Sequence, residues 1–455
     1  MVDQTEFRQL EAAETTVPRS AYVHIPFCRR RCYYCDFPIA VLGDRATNGR
    51  SSIIEGYIEQ LCREIEATPA WGHPLETVSF GGGTPSLLPV PQLERILNTL
   101  DRHFGIAAGA EISMEVDPDT FSAAQLLGYK HAGVNRVSLG AQAFQDELLK
   151  VCGRSHSSDD IFAAVELIRQ VGIPNFSLDL ISGLPHQTLN QWQASLETAV
   201  KIAPAHLSCY DLMIEPVTAF GRQYQPGENP LPTDETTTQM YKLAGQIIAR
   251  AGYEHYEICN YAQPGYQSRH NRIYWENRPY YGFGMGAASY VQRQRFTRPR
   301  TRKDYYAWVQ QFQEAGGAID CSEISATEVL LETLMLGLRL ADGISLSWIR
   351  QQFGEATLKR IWSCLQTYYQ QGWVELMGVD EKRVESLPAE GRLRLSDPEG
   401  FLFSNVVLAA LFSQFEEDWN LDRKPTVVVP HKWRKFETRL LSQTCNRVRK
   451  SQLIN

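Results

Sequence analysis

The chain has 455 residues, of which 43% are hydrophobic and 21% charged, and its formal net charge is −7. This balance excludes an intrinsically disordered chain and fits a large buried core divided between more than one domain. The negative charge argues against general nucleic-acid binding, and no apolar run is long enough to span a bilayer.

The polar segment 1–16 carries no secretory apolar region and is expected to be a flexible N-terminus. Strand-like runs follow at Tyr22–Ile25, Thr77–Phe80, Glu111–Val116, Arg136–Leu139, Phe176–Ile181 and His206–Met213. Amphipathic stretches separate them at Ile53–Ala67, Pro91–Phe104, Ser122–His131, Asp159–Val171 and Leu189–Ile202. Six repeats of strand then helix predict an α/β fold, a partial (β/α)6 barrel over residues 17–225. Glu115, Gln142 and Asp179 lie at strand ends, which face the ligand side in α/β barrels.

The rhythm changes after Pro216. Thr233–Ala251 reads as a helix and Tyr253–Ile258 as a strand, within an aromatic and glycine-rich extension expected over 226–324. A mainly helical domain is expected over 325–415, with helices at Thr327–Leu340, Ser345–Phe353, Thr357–Gln371 and Phe401–Phe415 and a short strand at Gly391–Leu395. Helices followed by a small β-wing resemble a winged-helix unit, read here as a packing or lid domain in preference to a DNA-binding one. Residues 416–455 form a basic tail: from Arg423 onward there are nine Lys or Arg and one acid, Glu437.

Chemistry concentrates at Cys28-Arg29-Arg30-Arg31-Cys32-Tyr33-Tyr34-Cys35. A cubane four-iron four-sulfur cluster takes one protein ligand per iron, so three thiolates leave one iron open to a small chelator. Zinc is the alternative, but zinc hooks favour paired Cys-x2-Cys, and no second such hook exists in the chain. The trio follows the apolar run Ala21–Ile25, on a loop leaving a strand. After the next strand comes Gly81-Gly82-Gly83-Thr84-Pro85, whose glycines allow close backbone approach to a ligand. Cys62, Cys209 and Cys259 read as small core residues, as suits a reducing cytoplasmic setting.

These motifs resemble the radical S-adenosylmethionine (SAM) proteins, in their coproporphyrinogen III dehydrogenase-like branch and most closely the HemW haem chaperones. The resemblance spans roughly Ala21 to Phe415. It implies a 4Fe-4S cluster on Cys28, Cys32 and Cys35, with SAM chelating the open iron and reductive cleavage giving a 5'-deoxyadenosyl radical. It places SAM against Tyr22, Tyr34, Gly82 and Glu115. For a second SAM it supplies Gly83, Thr84, Gln142, Arg154, Asp179, Met213 and Ala288.

Two departures separate the neighbours. The dehydrogenases carry a further cysteine two positions after the third, where this chain has Phe37, and a longer N-terminal arm than the 21 residues preceding Tyr22. The string His270-Asn271-Arg272-Ile273-Tyr274-Trp275 matches the HNxxYW pattern of HemW-like proteins. The resemblance implies haem on His270, with the two rings covering the macrocycle. Arg293, Arg295, Arg298 and Arg300 are either propionate partners or a solvated basic loop, the second reading being preferred.

The expectation is a cytoplasmic radical SAM protein that binds haem and passes it to a haem-accepting apoprotein, with a reductant of flavodoxin or ferredoxin type. Neither nucleic acid nor an integral membrane segment is expected, which leaves room for peripheral membrane association. The alternative is oxygen-independent oxidative decarboxylation of coproporphyrinogen III.

Overall fold

The computed structural model of the chain describes residues 17–43 and 48–416. The expected flexible N-terminus and, apart from Glu416, the expected basic tail lie outside the described residues. Six parallel strands carry the fold: β1 Ser20–Ile25, β2 Leu75–Gly82, β3 Ile106–Val116, β4 Arg136–Gln142, β5 Phe176–Ser182 and β6 His206–Asp211. They lie side by side in chain order, a partial radical SAM barrel. Asn260–Ala262 pairs antiparallel to β6, and Tyr281–Phe283 pairs parallel to β1.

Helices return the chain between strands: α1 Asn48–Ala67, α2 Val90–Phe104, α3 Ala123–His131, α4 Ser158–Val171 and α5 Leu189–Ile202. Their ends are written locally. Ser157 with Asp160 and Thr188 with Gln191 form reciprocal capping boxes, and Gly172, at φ 74°, closes α4. One face of each strand packs under these helices, burying Val23, Phe80, Met114, Leu139, Leu178 and Leu207 to 1% exposure or less. The opposite face turns Tyr22, Glu115, Ser138 and Asp179 toward the lumen. A 6–11-residue strand buried on its outer face and polar inside therefore delivers its functional groups to one end.

The chain divides into two compact units. The first takes in the described residues through His255, with Cys259–Ile273 and Arg278–Cys321; the second takes in Tyr256–Ile258, Tyr274–Asn277 and the described residues from Ser322. In the second unit, helices Ala326–Gly337, Leu346–Gln370 and Ser404–Gln414 accompany a three-stranded antiparallel sheet of Ile344–Ser345, Arg392–Leu395 and Val374–Met377. The long helix is interrupted at Gly354, where φ is 86°, so the sequence reads it as two helices. No described helix is long and apolar enough to cross a membrane.

Candidate functional site

The cysteine loop leaves β1 at the carboxyl end of the barrel. The amides of Gly83 and Thr84 donate to the carbonyls of Ile25 (2.8 Å) and Phe27 (2.7 Å), tying the glycine turn after β2 to the start of that loop. A Cβ on Gly83 would lie 2.7 Å from the Phe27 carbonyl oxygen, so only glycine fits this crossing. Tyr33 N donates to the Cys152 carbonyl (3.0 Å), and Phe220 N donates to the Tyr33 carbonyl (2.9 Å). Arg300 donates to the Asp36 carbonyl at 2.6 Å, and Arg31 to the carbonyls of Cys35 and Phe37.

Around the thiols the polar groups are specific. Arg154 donates to Cys32 Sγ (3.5 Å) and the Gly140 carbonyl (3.0 Å) and forms an ion pair with Asp117. Thr84 donates to Cys28 Sγ (3.7 Å) and to Asp117 (3.2 Å). Burial pushes the Cys28 thiol up to about 12, with Asp117 and the other two cysteines adding to the shift. A thiolate there needs a cation close by, which iron supplies, so the donor set fits a cluster. Among the described residues no three His, Cys, Asp or Glu side chains are gathered as tightly as a single metal ion requires.

Inside the lumen, Glu115 accepts from the Gly82 amide at 3.1 Å. Water reaches the carboxylate from the mouth, but the barrel wall surrounds it; this desolvation pushes it up to about 7, with Asp179 and Asp117 adding and the Gly82 amide opposing. Desolvation also raises Asp179, against the pull of its hydrogen bonds from Ser138 (2.8 and 2.9 Å) and Ser177. Tyr22 Oη lies 3.0 Å from His24 Nδ1, and His24 Nε2 lies 2.9 Å from the Pro38 carbonyl. Burial lowers His24 to about 4, so its ring is neutral. Both nitrogens are engaged in joining β1 to the loop beyond Cys35. His24 was legible as a period-two neighbour of Tyr22; Arg300, distant in sequence, had no such signal.

The structure thus brings together Cys28, Cys32, Cys35, Tyr22, Tyr34, Gly82, Gly83, Thr84, Glu115, Gln142, Arg154 and Asp179 at one end of the barrel. Gln142 sits there with φ 68°, an uncommon conformation for a residue with a side chain. The group expected for a second SAM is less coherent. Thr84 and Arg154 are committed to Asp117 and the cysteines, and the cleft they line beside Cys32 measures about 20 Å³, room for roughly one water. Met213 is 65% exposed. Ala288 pairs with Thr297 in a hairpin beyond Tyr281–Phe283.

His270 is placed elsewhere. It lies 2% exposed, with Nδ1 2.7 Å from Thr77 Oγ1. Thr77 belongs to the amino-terminal half of β2, the end opposite the cysteines. The amides of Arg269 and His270 donate to Glu111, and burial lowers His270 to about 3. The expected haem ligand is, in this arrangement, a core histidine closing the far end of the barrel, and Tyr274 and Trp275 belong to the second unit. The arginine run divides between exposed and buried side chains. Arg298, 2% exposed, pairs with Glu64 at 2.6 Å, and Arg295 lies over the Tyr290 ring. Arg293 occupies a hairpin turn at φ 58°. Arg293 and Arg300 are exposed, as in the solvated reading, whereas Arg298 is buried and closed to propionates.

Residues 22–199 match the radical SAM superfamily, and residues 324–379 match the HemN C-terminal domain. The chain is 48% identical to the heme chaperone HemW of Synechocystis over 408 residues, covering 89% of this chain and 98% of that protein. It is 36% identical to the heme chaperone HemW of Bacillus subtilis, covering 74% and 88%. It is also 31% identical to the mitochondrial radical S-adenosyl methionine domain-containing protein 1 of Danio rerio, covering 72% and 74%. Among solved structures, coproporphyrinogen III oxidase (HemN) from Escherichia coli superposes with a TM-score of 0.71 at 24% identity, covering 90% of this chain and 93% of that one. At that identity the likeness speaks for the fold.

Proposed function

The chain belongs to the HemW family of radical SAM proteins, and from that premise we propose that it binds haem and passes it to an acceptor apoprotein. The observation that carries the reading is its relatedness to a heme chaperone along 98% of that relative's length. Phe37 supports it: where the dehydrogenases have an additional cysteine, this chain carries an apolar ring, 56% exposed.

In this reading Cys28, Cys32 and Cys35 would hold a 4Fe-4S cluster, with Tyr22, Tyr34, Gly82 and Glu115 available to hold SAM. The chemistry such a group would supply when bound is one-electron reductive cleavage of the SAM sulfonium bond. The chain's own part is orientation. Glu115 accepts from hydroxyls or an amine of SAM while the Gly82 amide fixes the carboxylate, a charge-assisted contact. His24 locks Tyr22 on one side and the Pro38 carbonyl on the other, holding the segment beyond Cys35. Arg154 donates to Cys32 Sγ and so positions that sulfur. A single-electron donor of flavodoxin or ferredoxin type would meet the cysteine loop at the mouth. For a second SAM the available contacts are Gln142, Asp179 and Met213, and titration of the reconstituted protein with SAM counts the sites.

Haem titration tests the reading. The reconstituted protein is expected to retain stoichiometric haem through gel filtration and to give it up to a haem-free acceptor; no retention would overturn the proposal.

A further inference from the structure

The strand Asn260–Ala262 runs antiparallel along β6, the last of the six parallel strands. The register sets Tyr261 opposite Leu207 and Asn260 opposite Ser208, which brings Cys259, one residue earlier, opposite Cys209. The Cys209 amide donates to the Cys259 carbonyl at 2.8 Å. The two cysteines therefore meet as a hydrogen-bonded cross-strand pair, a geometry that sets Cα atoms about 5.5 Å apart. A disulfide spans about 4.4–6.8 Å between Cα atoms, so this backbone already holds the two residues within bonding reach.

Their surroundings differ in a way that suits a stepwise reaction. Cys259 is half-buried and open to a small oxidant, whereas Cys209 is only 9% exposed. Both are thiols in this structure, and neither belongs to the loop that carries Cys28, Cys32 and Cys35. Burial raises the Cys209 thiol, and the Cys259 sulfur adds to the shift ahead of Asp179, as a neighbouring sulfur does. Cys321 and Cys364, also half-buried, feel no second cysteine.

We propose that Cys209 and Cys259 form a reversible disulfide when the protein meets a hydroperoxide. The Cys259 thiolate attacks a peroxide oxygen, the O–O bond breaks, and Cys259 becomes a sulfenic acid while the departing hydroxide takes up the thiol proton as water. The Cys209 sulfur then attacks the Cys259 sulfur. The S–S bond forms, the S–O bond breaks, and a second water leaves with the Cys209 proton. Two thiols and one hydrogen peroxide thus give one disulfide and two waters. Opposed Cβ atoms in a sheet sit about 4.5–5.5 Å apart, against about 3.8 Å across a relaxed disulfide. Closing that gap draws the strands together, and a strained, partly exposed bond is one that a dithiol reductant reopens. The effect reaches the lumen, because Ser208, next to Cys209, hydrogen-bonds Asp179. The bond needs neither haem nor SAM, so its failure would leave the haem-chaperone reading untouched.

The test oxidises the reconstituted full chain with hydrogen peroxide, blocks the remaining thiols with iodoacetamide under denaturing conditions, and maps the digest by mass spectrometry without reductant. A peptide linking Cys209 to Cys259 is expected to accumulate with peroxide and to disappear after dithiothreitol. Cys259→Ser is expected to leave Cys209 alkylated at the same peroxide dose. Cys209→Ala is expected to strand Cys259 as a sulfenic acid, captured by dimedone. A chain carrying Cys28→Ser, Cys32→Ser and Cys35→Ser is expected to give the same linked peptide, which separates this bond from sulfur chemistry of the cysteine loop. The measurement on the parent chain decides even where a variant fails to fold. If Cys209 there stays fully alkylated after oxidation, or links to a cysteine of the loop instead, the proposal is overturned.

Discussion

The amide of Gly82 holds the Glu115 carboxylate at 3.1 Å, and the His24 ring occupies the place where a side chain at position 82 would begin. Gly82 also has φ 114°, outside the range other residues readily adopt. The glycine is therefore required by its packing against the lumen wall before any ligand arrives. Gly82→Ala is expected to destabilise the fold by about 2–4 kcal/mol through strain and overlap. His24→Ala in the same chain should recover part of this loss in a urea double-mutant cycle; strictly additive effects would show that the two positions do not meet.

Glu115 should make SAM binding pH-dependent. Its carboxyl is raised to about 7, and SAM's hydroxyls or amine need the ionised acceptor. The protonated form prevails below that value, so affinity falls on acidification, by about tenfold per pH unit well below about 7, and levels off above it. Glu115→Gln should bind weakly with a flat profile. An equally steep profile in that variant would assign the dependence to another group.

Cluster assembly should depend on the trio alone. Cys32→Ala removes one of three thiolates and is expected to lose iron and sulfide, whereas Cys62→Ala and Cys209→Ala retain them. Cys62 lies in α1 and Cys209 in β6, both buried and outside the cysteine loop, and burial raises both thiols. Normal iron and sulfide in Cys32→Ala would refute the assignment.

His270→Ala is expected to cost about 1–3 kcal/mol of stability, because Thr77 and the packing around a buried ring lose a partner. The spectrum of bound haem should stay unchanged. A moved Soret band in a variant of preserved stability would return haem to His270.

Much of this was legible in the chain. The six barrel strands announce themselves as short runs apolar on alternate or successive residues, β4, β5 and β6 closing on a polar one, and helices α3, α4 and α5 carry their own side-chain caps. The cysteine loop, the glycine turn and Glu115 follow from spacing. Arg298 was not legible. Its partner, Glu64, is 234 residues away, and no local pattern separates an arginine in a buried ion pair from one in water. Helix Arg302–Glu314 was missed for a related reason: its first turn continues the basic run, while its buried face, Tyr305, Val309 and Phe312, is spaced over later turns. The surroundings of His270 were not legible either, because an imidazole between aromatic residues can be a ligand or a core residue. Only the fold shows that Thr77 and Glu111 close around it.

The central claim is that this chain handles haem rather than converting its precursor. The direct test supplies the reconstituted protein, SAM and a reductant with coproporphyrinogen III in one vessel and haem in another, and follows both by chromatography and absorbance. The account predicts stoichiometric haem retention and transfer, with neither protoporphyrinogen IX nor the singly decarboxylated intermediate above background. Porphyrinogen turnover without haem retention would contradict it and make the chain a dehydrogenase despite Phe37.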